Sequence, residues 1–357
     1  MTGFDIFENL RGDSHFSHVP VIFVTSLDEL ESKLKAFNLG AEDYLTKPFK
    51  PEELLARLAI LSRRRDYLKD AEINTKIGSN QATIVAMHSL RGGVGCTSLA
   101  INLGLAYNEL WQRPTLLIDA VLTSGQVALY LNGSPKTTWK DIAKNTIDDI
   151  DANMIRFLAN MLKKGVSYIA SPVLPIAFEA LNVIYPKVLE EFRNQFDLII
   201  VDAPHDFSDM AVMSLDAADT ILLAMTPEMG SLRAVICALK TYDSLGYSPD
   251  KVKIALNNNG SMAGLKISQI EKAIGRQVDF EFPYSQAVFQ AINTGKPFLT
   301  SDSSLPISMR IEECAFALSR DSLKKVPPAA PTSTWTNVNK RLNNKGKKPW
   351  LDLSIFR

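Results

Sequence analysis

Two rhythms of hydrophobic positions divide this chain. From about residue 81 to residue 324, short and almost unbroken apolar runs recur: 82–87, TLLIDA (115–120), GVSYIASP (165–172), FDLIIVDAP (196–204), TILLAMTP (220–227) and KVKIALNNN (251–259). Between them lie stretches with helical spacing, such as LAINLGLAYNEL (99–110). Strands apolar on both faces, alternating with amphipathic helices, predict a mostly parallel sheet covered on both sides. Ligands of such α/β sheets sit beyond the carboxyl ends of the strands. Residues 1–65 are more mixed: a helical pattern at 3–13, a β-rich run at 19–25, a helix from about 28 to 39, then a short strand, a Lys-Pro turn and an amphipathic helix.

The first apolar run of the larger region meets a glycine-dense turn, Arg91-Gly92-Gly93-Val94-Gly95-Cys96-Thr97-Ser98, and then a helix. Strand, glycine loop and helix together aim backbone N–H groups at an anion, and glycine leaves the room a phosphate needs. The phosphate-loop pattern is G-x-x-x-x-G-K-S/T. Gly95 and Thr97 satisfy it; Leu90 stands at the first glycine and Cys96 at the lysine. A structural glycine turn is the competing reading of this loop taken alone. Asp119 and Asp202 each end an apolar strand, where an aspartate is either a helix cap or a metal-binding acid.

Composition narrows the picture. The 357 residues allow a large core, and 39 basic against 39 acidic side chains give zero formal charge, so no global attraction to nucleic acid or anionic lipid is expected. Three dispersed cysteines argue for a reducing compartment, and the four histidines have no metal-ligand spacing. No secretory signal and no apolar run of membrane-spanning length is visible, which predicts a cytoplasmic protein. Residues 66–80 read as a polar linker. After Lys324 the chain turns rich in Pro, Thr and Asn, with seven Lys and Arg between Lys324 and Lys348, so 325–357 reads as a disordered basic tail. Its apolar end (Trp350, Leu351, Leu353, Ile355, Phe356) leaves two readings open, a floppy terminus or a peptide that docks on a partner or on lipid.

Met1-Thr2-Gly3-Phe4-Asp5, Val21-Ile22-Phe23-Val24-Thr25-Ser26, Gly40-Ala41-Glu42-Asp43-Tyr44-Leu45-Thr46-Lys47-Pro48-Phe49 and Pro51-Glu52-Glu53-Leu54 follow one another in an order that resembles the second half of a bacterial response-regulator receiver domain. That resemblance implies half of a flavodoxin-like unit, its last two strands and helices. It implies Thr25 as the switch hydroxyl, Tyr44 as the switch aromatic and Lys47 as the acyl-phosphate contact. The family's phosphoacceptor aspartate and acidic pair correspond to positions before Met1. A late start of the reading frame and a remnant that docks a partner are the two expectations.

The series RGGVGCTSLAINLGLA, LLIDAVLTSGQVALYL, FDLIIVDAP, LLAMTPEMGSLRAV, IALNNN and FPYSQAVFQAINTGKPF is similar to the MinD/ParA group of deviant-Walker P-loop proteins, and within it to the CpaE/TadZ branch of pilus-assembly proteins. The resemblance implies a SIMIBI/MinD-like P-loop NTPase fold over 81–324 and a nucleotide, ATP or ADP with Mg2+. Gly92 to Ser98 would cradle phosphate, Thr97 and Asp202 would hold the metal, and Asp119 would be the first switch acid. Asn257 and Pro283 would lie in the adenine-contacting segments. Three departures stand out. The group's lysine that reaches across a dimer is Arg91, the loop lysine is Cys96, and the water-orienting aspartate is Val121. Arginine keeps the charge in a different shape. A lost charge-assisted contact weakens binding by about 1.5–3 kcal/mol. Reduced nucleotide affinity and little or no hydrolysis follow, so Asp119 and Asp202 stand only as candidate catalytic residues.

The function expected from these residues is a homodimeric nucleotide-binding scaffold that positions Flp/Tad-type pilus or secretion assembly, either free in the cytoplasm or peripheral at the inner membrane or cell pole. The alternatives are an active ParA/MinD-like ATPase and a receiver-gated phosphorelay effector. No specific nucleic-acid partner is expected. A low-pKa thiolate at Cys96 and a catalytic His205 are the weaker alternatives to a tolerated small residue and a solvent-facing strand-end histidine.

Overall fold

The computed structural model describes residues 6, 7, 10, 21–25, 39, 41, 43–49 and 54, and residues 81–344 apart from 151, 175–178, 259 and 261–263. The chain divides into two units, Met1–Ser79 and Asn80–Arg357.

In the first unit β1 (Ile22–Thr25) and β2 (Asp43–Thr46) pair in parallel, Thr25 opposite Thr46. Phe7 is buried edge-on against Phe23, their ring centroids 5.3 Å apart, in a cluster with Ala41, Val21 and Leu39. The helices expected at 28–39 and after Pro51, and the linker at 66–80, fall almost wholly outside the described residues.

The second unit is built on one eight-stranded sheet of order β10-β9-β8-β3-β7-β4-β6-β5. Its strands are β3 (Thr83–His88), β4 (Thr115–Asp119), β5 (Asn160–Lys163), β6 (Val166–Ile169), β7 (Leu198–Asp202), β8 (Thr220–Met225), β9 (Val252–Asn257) and β10 (Phe280–Phe282). Only β5 runs antiparallel, at one edge. The side-chain period of two sends Ile84 and Ala86 into one core and Val85 and Met87 into the other, which is why the run reads as continuously apolar. The first core is closed by α2 (Glu179–Arg193), α3 (Asp209–Ala217), α4 (Met229–Ser244) and α5 (Ile267–Ile274). The second is closed by α1 (Cys96–Trp111), α6 (Gln286–Thr294), α7 (Pro306–Ala317) and α8 (Ser333–Asn344).

Fourteen of the sixteen residues of α1 are buried. It is apolar on every side because it packs on the sheet below and beneath α7 and α8 above. It follows β3, which lies between β8 and β7, so its amino end is fixed at the middle of the sheet's carboxyl edge.

The tail departs from the sequence expectation. Over Ser333–Asn344 it is helix rather than disordered chain. Val338 is fully buried, with Trp335 and Leu342 packed beside it, and these three positions form one face of α8. Arg341 donates to Glu312 at 2.5 Å and to Glu313 at 3.2 Å, and Thr332 Oγ1 donates to the Leu110 carbonyl at 3.3 Å. The apolar terminal peptide lies outside the described residues.

Candidate functional site

The phosphate loop forms as its sequence requires. Gly93 and Gly95 take φ of +79° and +96°, and a Cβ at Gly95 would meet the Asn257 amide at 2.5 Å. Nothing lies within 4 Å of where a Cβ on Gly92 or Gly93 would stand, so the loop faces open space. Among the described residues no protein acceptor takes the N–H groups of Gly93 through Thr97. Those of Gly95, Cys96 and Thr97 are the unsatisfied donors of a helix amino end, and those of Gly93 and Val94 belong to the loop before it. Val94 is buried, and its carbonyl accepts the Asn257 side-chain amide at 2.8 Å. Ser98 is buried and its carbonyl takes the Asn102 amide.

Two carboxylates converge beside the loop. β4 and β7 are adjacent and in register, with Asp119 opposite Asp202. Both are buried. Thr97 Oγ1 donates to Asp202 Oδ2 at 2.6 Å, whereas Asp202 Oδ1 is buried with no hydrogen-bond partner. Asp119 accepts the N–H of Val121 at 3.2 Å and of Val127 at 3.0 Å, and the Trp139 indole donates to its carbonyl at 2.7 Å. Burial raises the pKa of Asp119, and the Asp202 carboxylate raises it further. Burial raises Asp202 likewise, against the Thr97 hydroxyl, which lowers it. Two acids so placed favour sharing a proton, unless a cation stands between them. A buried carboxylate oxygen left without a donor, beside a threonine hydroxyl and a phosphate cradle, fits a divalent metal. Thr97 and Asp202 are the residues that would hold it, as they do in P-loop NTPases generally.

The departures from the usual pattern are equally visible. Cys96 is buried in the second core; burial pushes its thiol up, and the Asp202 carboxylate adds to this. A reactive thiolate is therefore disfavoured there. Arg91 does not point freely into the site. Its guanidinium pairs with Glu228 at 3.0 Å and lies where any Cβ on Gly230 would overlap it. Glu228 also accepts from Thr226 Oγ1 at 2.9 Å. Val121 lies two residues after Asp119, its carbonyl taking Ser171 Oγ at 2.8 Å. Pro283 follows β10, the edge strand, with β9 and β8 between it and β3. Asn257, in β9, reaches the loop as a prop beneath Val94.

One residue escaped the sequence reading. His88, the last residue of β3, is fully buried. Its Nε2 faces the Asp206 carbonyl at 2.9 Å and its Nδ1 the Tyr242 hydroxyl at 2.5 Å. A carbonyl only accepts, so Nε2 carries the proton and the Tyr242 hydroxyl donates to Nδ1. Burial lowers the pKa of this imidazole to about 4. Two more bonds tie the segment after Asp202 to the root of the loop: Ala203 N–H to the Met87 carbonyl at 3.0 Å, and His205 Nδ1 with the Ser89 carbonyl at 3.2 Å. His205 is thus half-buried and tied to the backbone rather than directed at a ligand.

In the first unit the Lys47 N–H donates to the Thr25 carbonyl at 2.7 Å, which brings the expected acyl-phosphate contact beside the expected switch hydroxyl position; Tyr44 lies in β2.

Residues 1–59 match the response regulator receiver domain family and residues 82–249 match the AAA domain family. The DNA-binding dual master transcriptional regulator RpaA of Synechocystis sp. is 41% identical over 75 residues, which are 21% of this chain and 31% of RpaA. The chain thus spans about a third of that regulator's length. The septum site-determining protein MinD of Thermotoga maritima is 24% identical over 243 residues, 65% of this chain and 86% of that protein. Among solved structures, MinD of Pyrococcus horikoshii in complex with Mg-ADP superposes with a TM-score of 0.59 at 17% identity, covering 69% of this chain and all of that one. The second unit therefore has a MinD/ParA-like P-loop fold, and a receiver-type segment precedes it.

Proposed function

We propose that this chain is a nucleotide-binding scaffold that positions other components and turns nucleotide over slowly or not at all. The observation that carries this reading is the pairing of an intact metal end of the site with an altered phosphate end. Thr97 and Asp202 are joined at 2.6 Å beside an open glycine loop, while Cys96 and Val121 occupy the places of the lysine and the water-orienting aspartate. The loop N–H groups and the amino end of α1 would hold the phosphates, and Asp119 would be held in place by Val121, Val127 and Trp139. A bound divalent ion would supply the positive charge that phosphoryl transfer requires. Without a residue to orient water, the site binds better than it hydrolyses.

The relatives support positioning as the role: one is a septum site-determining protein. The resemblance to the CpaE/TadZ branch, with its receiver-type segment before a P-loop unit, supports a homodimer that marks where a pilus or secretion machine is assembled. The second reading, an active MinD/ParA-like ATPase, draws on the intact Thr97–Asp202 pair.

The test uses the full chain, with Cys96→Lys/Val121→Asp as an internal standard that regains both lost groups. The expected result is Mg-nucleotide binding by both proteins, with turnover rising roughly a hundredfold in the double variant. Rapid turnover by the native chain, equal to that of the double variant, refutes the scaffold reading and supports the ATPase. In the source cells, loss of pilus or secretion assembly on deletion of the gene supports the positioning role, and unaffected assembly removes it.

A further inference from the structure

Charge at the site is distributed in a way the glycine loop alone does not reveal. The seven parallel strands β3, β4, β6, β7, β8, β9 and β10 all end on one side of the sheet. The segments that follow them, up to the next helix, are residues 89–95, 120–126, 170–174, 203–208, 226–228, 258–266 and 283–285, and they contain two lysines or arginines, Arg91 in the phosphate loop and Lys266, exposed at the start of α5. The same strand ends and segments carry Asp119, Asp202, Asp206 and Glu228. Arg91 is already paired, with Glu228 at 3.0 Å. Cys96, buried in the core, brings no charge to the loop. Oxygen Oδ1 of Asp202, in a residue 1% exposed, has no donor at all.

A free nucleotide polyphosphate would enter this pocket with its charge opposed by carboxylates and met only by neutral N–H dipoles. A divalent cation held by Thr97 and Asp202 changes that balance, because it satisfies the orphaned oxygen and lies against the phosphates. We infer that this site selects the divalent-cation complex of a nucleoside di- or triphosphate and rejects the free nucleotide, the metal standing in for the cation that Cys96 does not supply. This inference rests on the nucleotide-binding reading above and adds to it a strict metal requirement. In a loop that keeps its lysine, a fixed ammonium remains to hold the phosphates when metal is removed; here the phosphate loop's one cation, Arg91, is paired with Glu228.

The experiment is equilibrium binding of a fluorescent ADP analogue to the full chain, over a Mg2+ titration and in EDTA. Binding in Mg2+ that weakens by roughly a hundredfold in EDTA is expected, the size of one or two lost charge-assisted contacts. Cys96→Lys is expected to retain binding in EDTA. Equal affinity of the native chain with and without Mg2+ overturns the inference while leaving the nucleotide-binding reading intact. Absence of binding under both conditions overturns that reading as well. The native Mg2+ titration decides the question even if Cys96→Lys does not fold.

Discussion

The neutral imidazole of His88 ties folding to acidity. Its pKa falls from the ordinary 6.5 to about 4 in the fold, because burial disfavours the charged ring. The folded state therefore refuses a proton that the unfolded chain accepts. The sign follows directly: this contribution is complete above pH 6.5 and is lost as pH falls from there towards 4, amounting to about 3 kcal/mol over the interval. Urea midpoints measured across that range should fall on the acid side in the native chain, and the fall should be shallower in His88→Gln. Trp139→Ala should cost about 3–5 kcal/mol in the same assay, since it empties a fully buried site and removes the donor to the Asp119 carbonyl.

Asp119 and Asp202 were legible in the sequence because each breaks an apolar strand at its end, beside a glycine loop. His88 was not. A lone histidine closing an apolar run has no spacing to betray it, and its partners Asp206 and Tyr242 lie 118 and 154 residues away. The Arg91–Glu228 pair was hidden for the same reason: the two meet only because β3 and β8 are neighbours in the sheet.

Among the elements, β4, β6, β7, β8 and β9 fall inside the apolar runs, since strands covered on both faces leave an uninterrupted apolar record. β5 left none. It is a four-residue edge strand, NMLK, with a register shift between Met161 and Lys163, and an edge strand has no second neighbour to demand apolar side chains. α8 was misread because its polar, Pro-flanked composition outweighed three anchors, Trp335, Val338 and Leu342, at helical spacing. Its hold on the core is tested by Arg341→Ala, which would take from the buried Glu312 its Arg341 partner while Glu313 keeps Arg310. Burial already raises the Glu312 pKa, and the Arg341 hydrogen bond opposes that rise. A loss of about 3 kcal/mol is expected, read as a lower urea midpoint.

For the molecule as a whole, the division at residues 79 and 80 separates the receiver-type segment from the P-loop unit. Each unit has hydrophobic cores of its own. A chain beginning at Asn80 should therefore fold and bind Mg-nucleotide within about twofold of the full protein. A larger loss, measured with the same fluorescent nucleotide, would show that the first unit shapes the pocket. No described helix is long and apolar enough to cross a membrane.

α1 has one further consequence. Most helices in a domain keep a wet side on which substitutions are tolerated every third or fourth position. The helix behind the phosphate loop has almost none, being enclosed by the sheet, α7 and α8. A saturation scan across 96–111 should thus return a continuous band of intolerance instead of stripes. Natural drift has little room along this segment, so the charge-free loop it carries is expected to persist with it.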